Sequence, residues 1–148
     1  MPSWNSTEYA KRLAAQGRGE LVQLVAWDAD RPVGKAMVLF PEHEEWSVSA
    51  QRERCAEIRD VRVDANRRRR GIATAMIAAL ENAARDRGMS RIGMSVALDP
   101  EDEPARALYR RLGYAQAHGP FITSTDLWGD DGRAIPVGAA MRYLVKNL

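Results

Sequence analysis

The chain predicts a single α/β domain, residues 1–148, built on a mixed, twisted sheet with flanking helices, and three observations carry that expectation. Residues 20–27 and 33–40 are apolar runs around the turn-rich Asp28-Ala29-Asp30-Arg31-Pro32, which reads as an antiparallel hairpin. Residues 56–63 are strand-like, and the helix after them puts Ile72, Met76, Ile77, Leu80 and Ala84 on one face. A further strand at 91–98 follows that helix, so the two strands are expected as parallel neighbours in a βαβ unit.

The remaining elements follow in order. Asn5-Ser6-Thr7-Glu8 has the form of a capping box, with Tyr9, Leu13 and Ala14 at helical spacing and Gly17 as a stop. Residues 41–55 are polar and long for a strand connection, with Trp46 as the one large apolar group. Such a loop is either a binding lid or a solvent-exposed linker with Trp46 tucked against the body. The helix after Gly71 runs to about Arg87 and stops at Gly88. Residues 99–103 are acidic, Pro104 is placed to open a new helix, and Ala105, Leu108, Tyr109 and Leu112 follow until Gly113 closes it. A strand near 114–118, a segment to Trp128, a Gly129-Asp130-Asp131-Gly132 turn and a last strand at 137–145 complete the chain.

Composition narrows the functional classes. At 148 residues the chain is long enough for a core that needs no disulfide or metal staple. A net charge of +2 is too small for nucleic-acid binding by the whole surface, so interest moves to local clustering. Cys55 is the one cysteine, which excludes an internal disulfide and suits a reducing, cytoplasmic setting. No basic region followed by an apolar run marks a signal peptide, and no apolar stretch approaches the ~20 residues needed to span a bilayer. No membrane partner is expected. His43 and His118 are too few and too far apart in sequence for a metal site, so no metal is expected.

The chemistry concentrates between Val61 and Thr74, where a strand runs into four arginines and a glycine and then directly into a helix. A helix entered this way gathers unpaired N–H groups and the positive end of its dipole at one spot. That spot suits phosphate, and arginines beside it favour the same ligand. The run has no interleaved aromatic residue, which speaks against base stacking and for a phosphate-bearing small ligand. It is neither a P-loop nor a Gly-x-Gly-x-x-Gly turn.

Arg68-Arg69-Arg70-Gly71-Ile72-Ala73 resembles the acyl-CoA motif of the GCN5-related N-acetyltransferases, Arg/Gln-x-x-Gly-x-Gly/Ala. Ala105-Arg106-Ala107-Leu108-Tyr109-Arg110-Arg111-Leu112-Gly113-Tyr114 is similar to the second signature of that family, Ala-x-x-Leu-Tyr-x-x-x-Gly-Phe/Tyr. The resemblance runs from about Glu20 to the C-terminus. Ala65 stands where proline is usual, Ala73 is the accepted alternative to glycine, and Asp102 replaces a common asparagine. The family's first strand and first helix look shortened or absent. The resemblance implies a sheet whose two central parallel strands splay, with acetyl-CoA as co-substrate. It assigns Val61, Arg62, Val63, Arg68, Arg69, Arg70, Gly71, Ile72, Ala73, Thr74, Asp102, Ala105 and Tyr109 to the coenzyme.

Moving an acetyl group from a thioester to an amine requires a neutral amine, a stabilised oxyanion and a protonated leaving thiolate. A lysine-like amine has a pKa near ~10.4, so a base or a water chain must take its proton. Backbone N–H groups around Val61 to Val63 would polarise the carbonyl. By resemblance, Tyr109 would protonate the sulfur; its plainer role is a core aromatic at helical spacing. Glu57 matches the general-base position of the histone-acetyltransferase branch, and Asp60, one strand face away, is the other candidate. Both could equally be surface charges paired with Arg59 or Arg62, with water relaying the proton. The acceptor is expected to be a small-molecule amine, with a peptide amine as the alternative, bound by residues 41–55 and 118–128. A non-catalytic acyl-CoA sensor and an RNA-associated protein are the rival readings, and a homodimer is left open.

Overall fold

A computed structural model describes residues 6–128 and 134–148, with side chains at 7–123 and 138–148. Asn5 of the expected capping box and the 129–132 turn lie outside the described residues. The chain divides into two compact units, Met1–Gly93 with Asn147–Leu148, and Met94–Lys146.

The first unit holds helix α1 (Ser6–Gly17), strands β1 (Leu21–Asp28) and β2 (Arg31–Leu39), helix α2 (Val48–Glu53), strand β3 (Ala56–Val63) and helix α3 (Ile72–Asp86). It also holds the start of strand β4 (Arg91–Ala97). The β1–β2 hairpin is antiparallel, with Leu21 opposite Leu39 and Asp28 opposite Arg31. β2 pairs antiparallel with β3, and β3 pairs parallel with β4 through Ala56↔Ile92 and Glu57↔Gly93. The βαβ expectation therefore holds. α3 packs across the strands with Met76, Ile77, Leu80 and Ala84 buried, as its periodicity predicts. Gly34 on β2 admits this packing: a Cβ there would come within 3.0 Å of the Arg62 carbonyl and 3.3 Å of the Met76 methyl.

In the second unit, the end of β4 leads through a 3-10 turn (Pro100–Asp102) into helix α4 (Glu103–Arg111). Strands β5 (Ala115–Trp128) and β6 (Ala134–Asn147) then pair antiparallel, with Ala115 opposite Val145. Among the described residues the strands form a mixed sheet in the order β1-β2-β3-β4-β6-β5.

Two expectations need correction. Residues 41–55 are not a plain loop: Ser47 caps the short helix α2, its side chain accepting from the Ala50 N–H at 3.0 Å. A six-residue helix is too short to show periodicity, which is why the sequence hid it. Likewise, residues 118–128 are a continuation of β5 rather than a separate segment. His118-Gly119-Pro120 looks like a strand breaker, but the register slips there and pairing resumes at Phe121↔Met141.

Candidate active site

Within the first unit, the chain leaves β3 at Val63, makes a 3-10 turn over Ala65–Arg67 and enters α3 through Gly71. Arg69 and Gly71 both adopt positive φ, 63° and 78°. Alternating left-handed residues turn successive backbone N–H groups toward one side, the geometry of an anion nest. Intrahelical bonding begins with the Ala75 N–H on the Gly71 carbonyl at 3.0 Å, so the N–H groups of Ile72, Ala73 and Thr74 precede the ladder. A Cβ built on Gly71 meets no protein atom within 4 Å. The glycine therefore faces open space, and within the protein it is its backbone angle, not a crowding neighbour, that calls for glycine.

The arginines divide by partner. Arg67 is held by Asp28 at 3.3 Å, and Arg68 Nε donates weakly to the Val63 carbonyl at 3.4 Å. Arg69 and Arg70 are exposed, with no ion-pair partner among the described residues. The free cations thus flank the helix start.

β3 itself is irregular in a way the sequence reading missed. The β2 partner of Arg59 is Met37 and that of Arg62 is Lys35, so Ala36 faces both Asp60 and Val61. This is a β-bulge, and Asp60 takes the left-handed conformation within it, φ 55°. Aspartate tolerates that region better than most residues, and an Asp inside a strand was the available signal. Face assignments by counting residues do not carry past this point. Arg12 of α1 reaches the same place, its Nη2 lying 2.7 Å from Asp60 Oδ2.

Glu57 is 2% exposed and crowded with donors. Arg59 donates to its Oε1 through Nε at 2.9 Å and pairs through Nη2 at 2.8 Å. Ser47 donates its hydroxyl to Oε2 and its N–H, more weakly, to Oε1 at 3.4 Å. Arg59 also donates to the Glu45 carbonyl at 2.6 Å. Trp46 packs on Ala15, Leu21, Met37 and Leu39 while its indole N–H donates to the Cys55 carbonyl at 2.9 Å. Trp46 is therefore tucked against the body. Glu57, Arg59 and Ser47 therefore pin residues 45–50 to the strand. Glu57→Gln is expected to lower unfolding stability by about 2 kcal/mol, since charge-assisted bonds are lost. Urea unfolding midpoints measure this, and an unchanged midpoint would remove the pinning role.

A cavity of about 290 Å³ opens between α1 and the segment before α2, lined in part by Glu8, Lys11, Arg12, His43, Glu44 and Glu45. His43 Nδ1 accepts the Glu45 N–H at 3.0 Å, which shapes this wall. Three of these residues come from the 41–55 stretch expected to meet the acceptor.

In the second unit, Arg106 fixes the entry to α4. Its Nη1 donates to the Ala97 and Asp99 carbonyls, the latter at 2.9 Å, while Nη2 pairs with Glu103 at 2.9 Å. One turn on, Tyr109 lies edge-on to Tyr114, ring centres 6.4 Å apart at 68°. Burial, and secondarily the Asp102 charge, push the Tyr109 phenol above its ordinary value of 10.0. Ala105 is half-buried on the same helix. His118, at the end of the strand expected near 114–118, lies in β5 and stacks on the fully buried Tyr143 at 5.1 Å and 8°. At the surface, Asp99, Glu101 and Asp102 bring carboxylate oxygens within 4.8 Å of one another, a grouping the histidine count did not address.

The first unit thus carries an anion nest at the start of the helix that joins its two parallel strands. The sequence pattern of the Acetyltransferase (GNAT) family matches residues 1–114, and the chain belongs to that family of N-acetyltransferases. Acetyl-CoA-dependent acyl transfer is general to it. No curated protein matches the chain in sequence. Solved structures that it resembles include ribosomal-protein-alanine N-acetyltransferase from Brucella melitensis, at TM-score 0.67 and 21% identity, covering 98% of this chain and 80% of that one. The PaiA N-acetyltransferase of Thermoplasma acidophilum, in complex with coenzyme A, matches at 0.66 and 12% identity, over 97% and 72%. A GNAT family acetyltransferase from Elizabethkingia anophelis with acetyl-CoA bound matches at 0.62 and 12%, over 99% and 93%. At these identities the likeness carries the fold. No helix among the described residues is long and apolar enough to cross a membrane.

Proposed function

We propose that the chain moves an acetyl group from acetyl-CoA to the primary amine of a small molecule, by direct attack with both substrates bound. The observation that carries this reading is the start of α3: two left-handed residues, unbonded helix-entry amides and open space where a Gly71 side chain would be. That donor set fits a pyrophosphate, and acetyl-CoA would supply the activated acyl group. In this reading Gly71, Ile72, Ala73 and Thr74 hold the phosphates through backbone N–H groups, with Arg68, Arg69 and Arg70 adding charge. Val61, Arg62 and Val63, following the bulge, present backbone groups to the acyl carbonyl and its pantetheine arm. Asp102 and Ala105 border that arm, and Tyr109 gives its phenolic proton to the departing sulfur.

The amine's proton leaves through water. Support comes from the two carboxylates that were candidates for the base. Glu57 is buried and already accepts from Arg59 and Ser47, and Asp60 is paired with Arg12. In this reading the acceptor enters by the cavity beside His43 and Glu45, whose lining mixes the carboxylates of Glu8, Glu44 and Glu45 with the cations of Lys11, Arg12 and Arg18.

The test is a coenzyme-release screen with acetyl-CoA against small amines, aminoglycosides and basic peptides. Release at least about tenfold above amine-free hydrolysis with a small amine is the expected result, a modest share of what proximity supplies. Binding of coenzyme A with no amine accelerating release would leave a sensor instead. RNA binding that coenzyme A does not displace would favour a nucleic-acid role for the arginines.

A further inference from the structure

We infer that Arg12 is a positioning residue for acetyl transfer: it clamps the β3 bulge from α1 and holds the strand's amides in their reactive direction. The inference rests on the acetyl-transfer reading above, and its structural half stands without it.

The bulge is an unstable feature on its own terms. Asp60 sits at φ 55° within a strand, a conformation aspartate adopts more readily than most residues but one that still costs free energy against regular strand angles. Ala36 opposes two residues of β3, so the β2 ladder does not fix Asp60 and Val61 as it fixes regular pairs. What holds the site is Arg12. Its Nη2 lies 2.7 Å from Asp60 Oδ2, and its Nε faces Glu8 at 3.4 Å from the preceding turn of α1. The Arg12 side chain is only 17% exposed and that of Asp60 31%, so the pair is shielded from much of the solvent that weakens surface ion pairs. Its Nε is buried and meets Glu8 as an ion pair without hydrogen-bond geometry, so the close contact of the guanidinium is the one with Asp60.

The geometry gives the clamp a functional consequence. A bulge re-aims the backbone groups that follow it, and here those are the groups of Val61 to Val63. If Asp60 relaxed to ordinary strand angles, one residue of register would be gained and those amides would turn. A misplacement of about 1 Å in such a group can cost on the order of a hundredfold in rate. Arg12 also lines the cavity between α1 and the segment before α2. A single side chain thus touches both the acceptor's side and the strand that polarises the acyl group.

The experiment uses Arg12→Met, which keeps the length of the side chain and removes its charge, with Arg12→Lys beside it. Arg12→Met is expected to lower kcat roughly 30- to 100-fold while KM for acetyl-CoA changes less than about twofold, and Arg12→Lys to recover most of the loss. Asp60→Asn, which stays at ease in the left-handed region, must show the same fall if Arg12→Met does not fold. Combining the two changes must add little to either alone. A loss of the acid limb of the pH–rate profile in Asp60→Asn, with Arg12→Met unaffected, would make Asp60 the base and overturn the clamp. Independently of turnover, amide hydrogen exchange of residues 60–62 should rise at least tenfold in Arg12→Met while Ile77 and Leu80 keep their protection. Unchanged exchange overturns the inference even in a protein that acetylates nothing. Absent turnover in the wild type with the expected exchange would instead count against the acetyl-transfer reading alone.

Discussion

Gly71→Val should raise the dissociation constant for coenzyme A by at least about a hundredfold, some 2.7 kcal/mol. Two effects add. Valine is β-branched and poorly suited to φ 78°, a strain of about 1–2 kcal/mol that pulls the Ile72 to Thr74 amides out of line. Its side chain also projects into the open space where phosphate oxygens would lie. Gly71→Ala, with one methyl and a similar strain, should lie between wild type and valine. Gly88 supplies the control, because it has φ 82° and likewise no protein atom within 4 Å of where a Cβ would stand. Gly88→Ala should cost similar stability and leave coenzyme affinity unchanged. Titration calorimetry on the three variants decides the matter, and wild-type affinity in Gly71→Val would end the cradle.

The turn into α3 was legible because its information is local. A glycine after a charged run, between a strand ending at Val63 and a helix face begun by Ile72, specifies the turn and the helix start together. The strands of the hairpin and the βαβ unit were legible for the same reason, since each shows its own alternation or run. What escaped the sequence depends on distant partners. Asp60 reads as a candidate base or as a charge paired with Arg59 or Arg62, and its contact with Arg12, far away in the chain, leaves no local trace. Glu57 reads either as a base or as a strand-surface charge, and nothing local shows that Ser47 and Arg59 both donate to its oxygens. A carboxylate in a strand looks the same in sequence whether it awaits a proton or holds a loop. Ser47-Val48-Ser49-Ala50 did carry a capping signal, but six residues of helix leave no periodic face to confirm it. The pairing of β5 past Gly119-Pro120 was hidden because tertiary pairing overrode two strand-breaking residues.

Tyr109→Phe should lower kcat by about a hundredfold or more, the range expected for losing a general acid, with little change in KM for acetyl-CoA. Phenylalanine keeps the ring and its edge contact with Tyr114, so unfolding stability should stay near that of the wild type. The pH dependence gives the sharper test. Burial and the Asp102 charge both disfavour the phenolate, so Tyr109 remains protonated, as a proton donor must, across the neutral range. The sign follows directly. Activity that needs the phenol falls as pH rises through its folded value, and that fall lies above 10.0 rather than at it. The stability linked to this group follows the same window, full below the unfolded value and lost as pH rises through the folded one. Asp102→Asn removes only the smaller cause, so it should bring the alkaline limb down part of the way and no further. In Tyr109→Phe the limb should vanish with the lost activity. If Tyr109→Phe keeps kcat within twofold and retains the limb, Tyr109 is a core aromatic, and the proton reaches the sulfur from solvent.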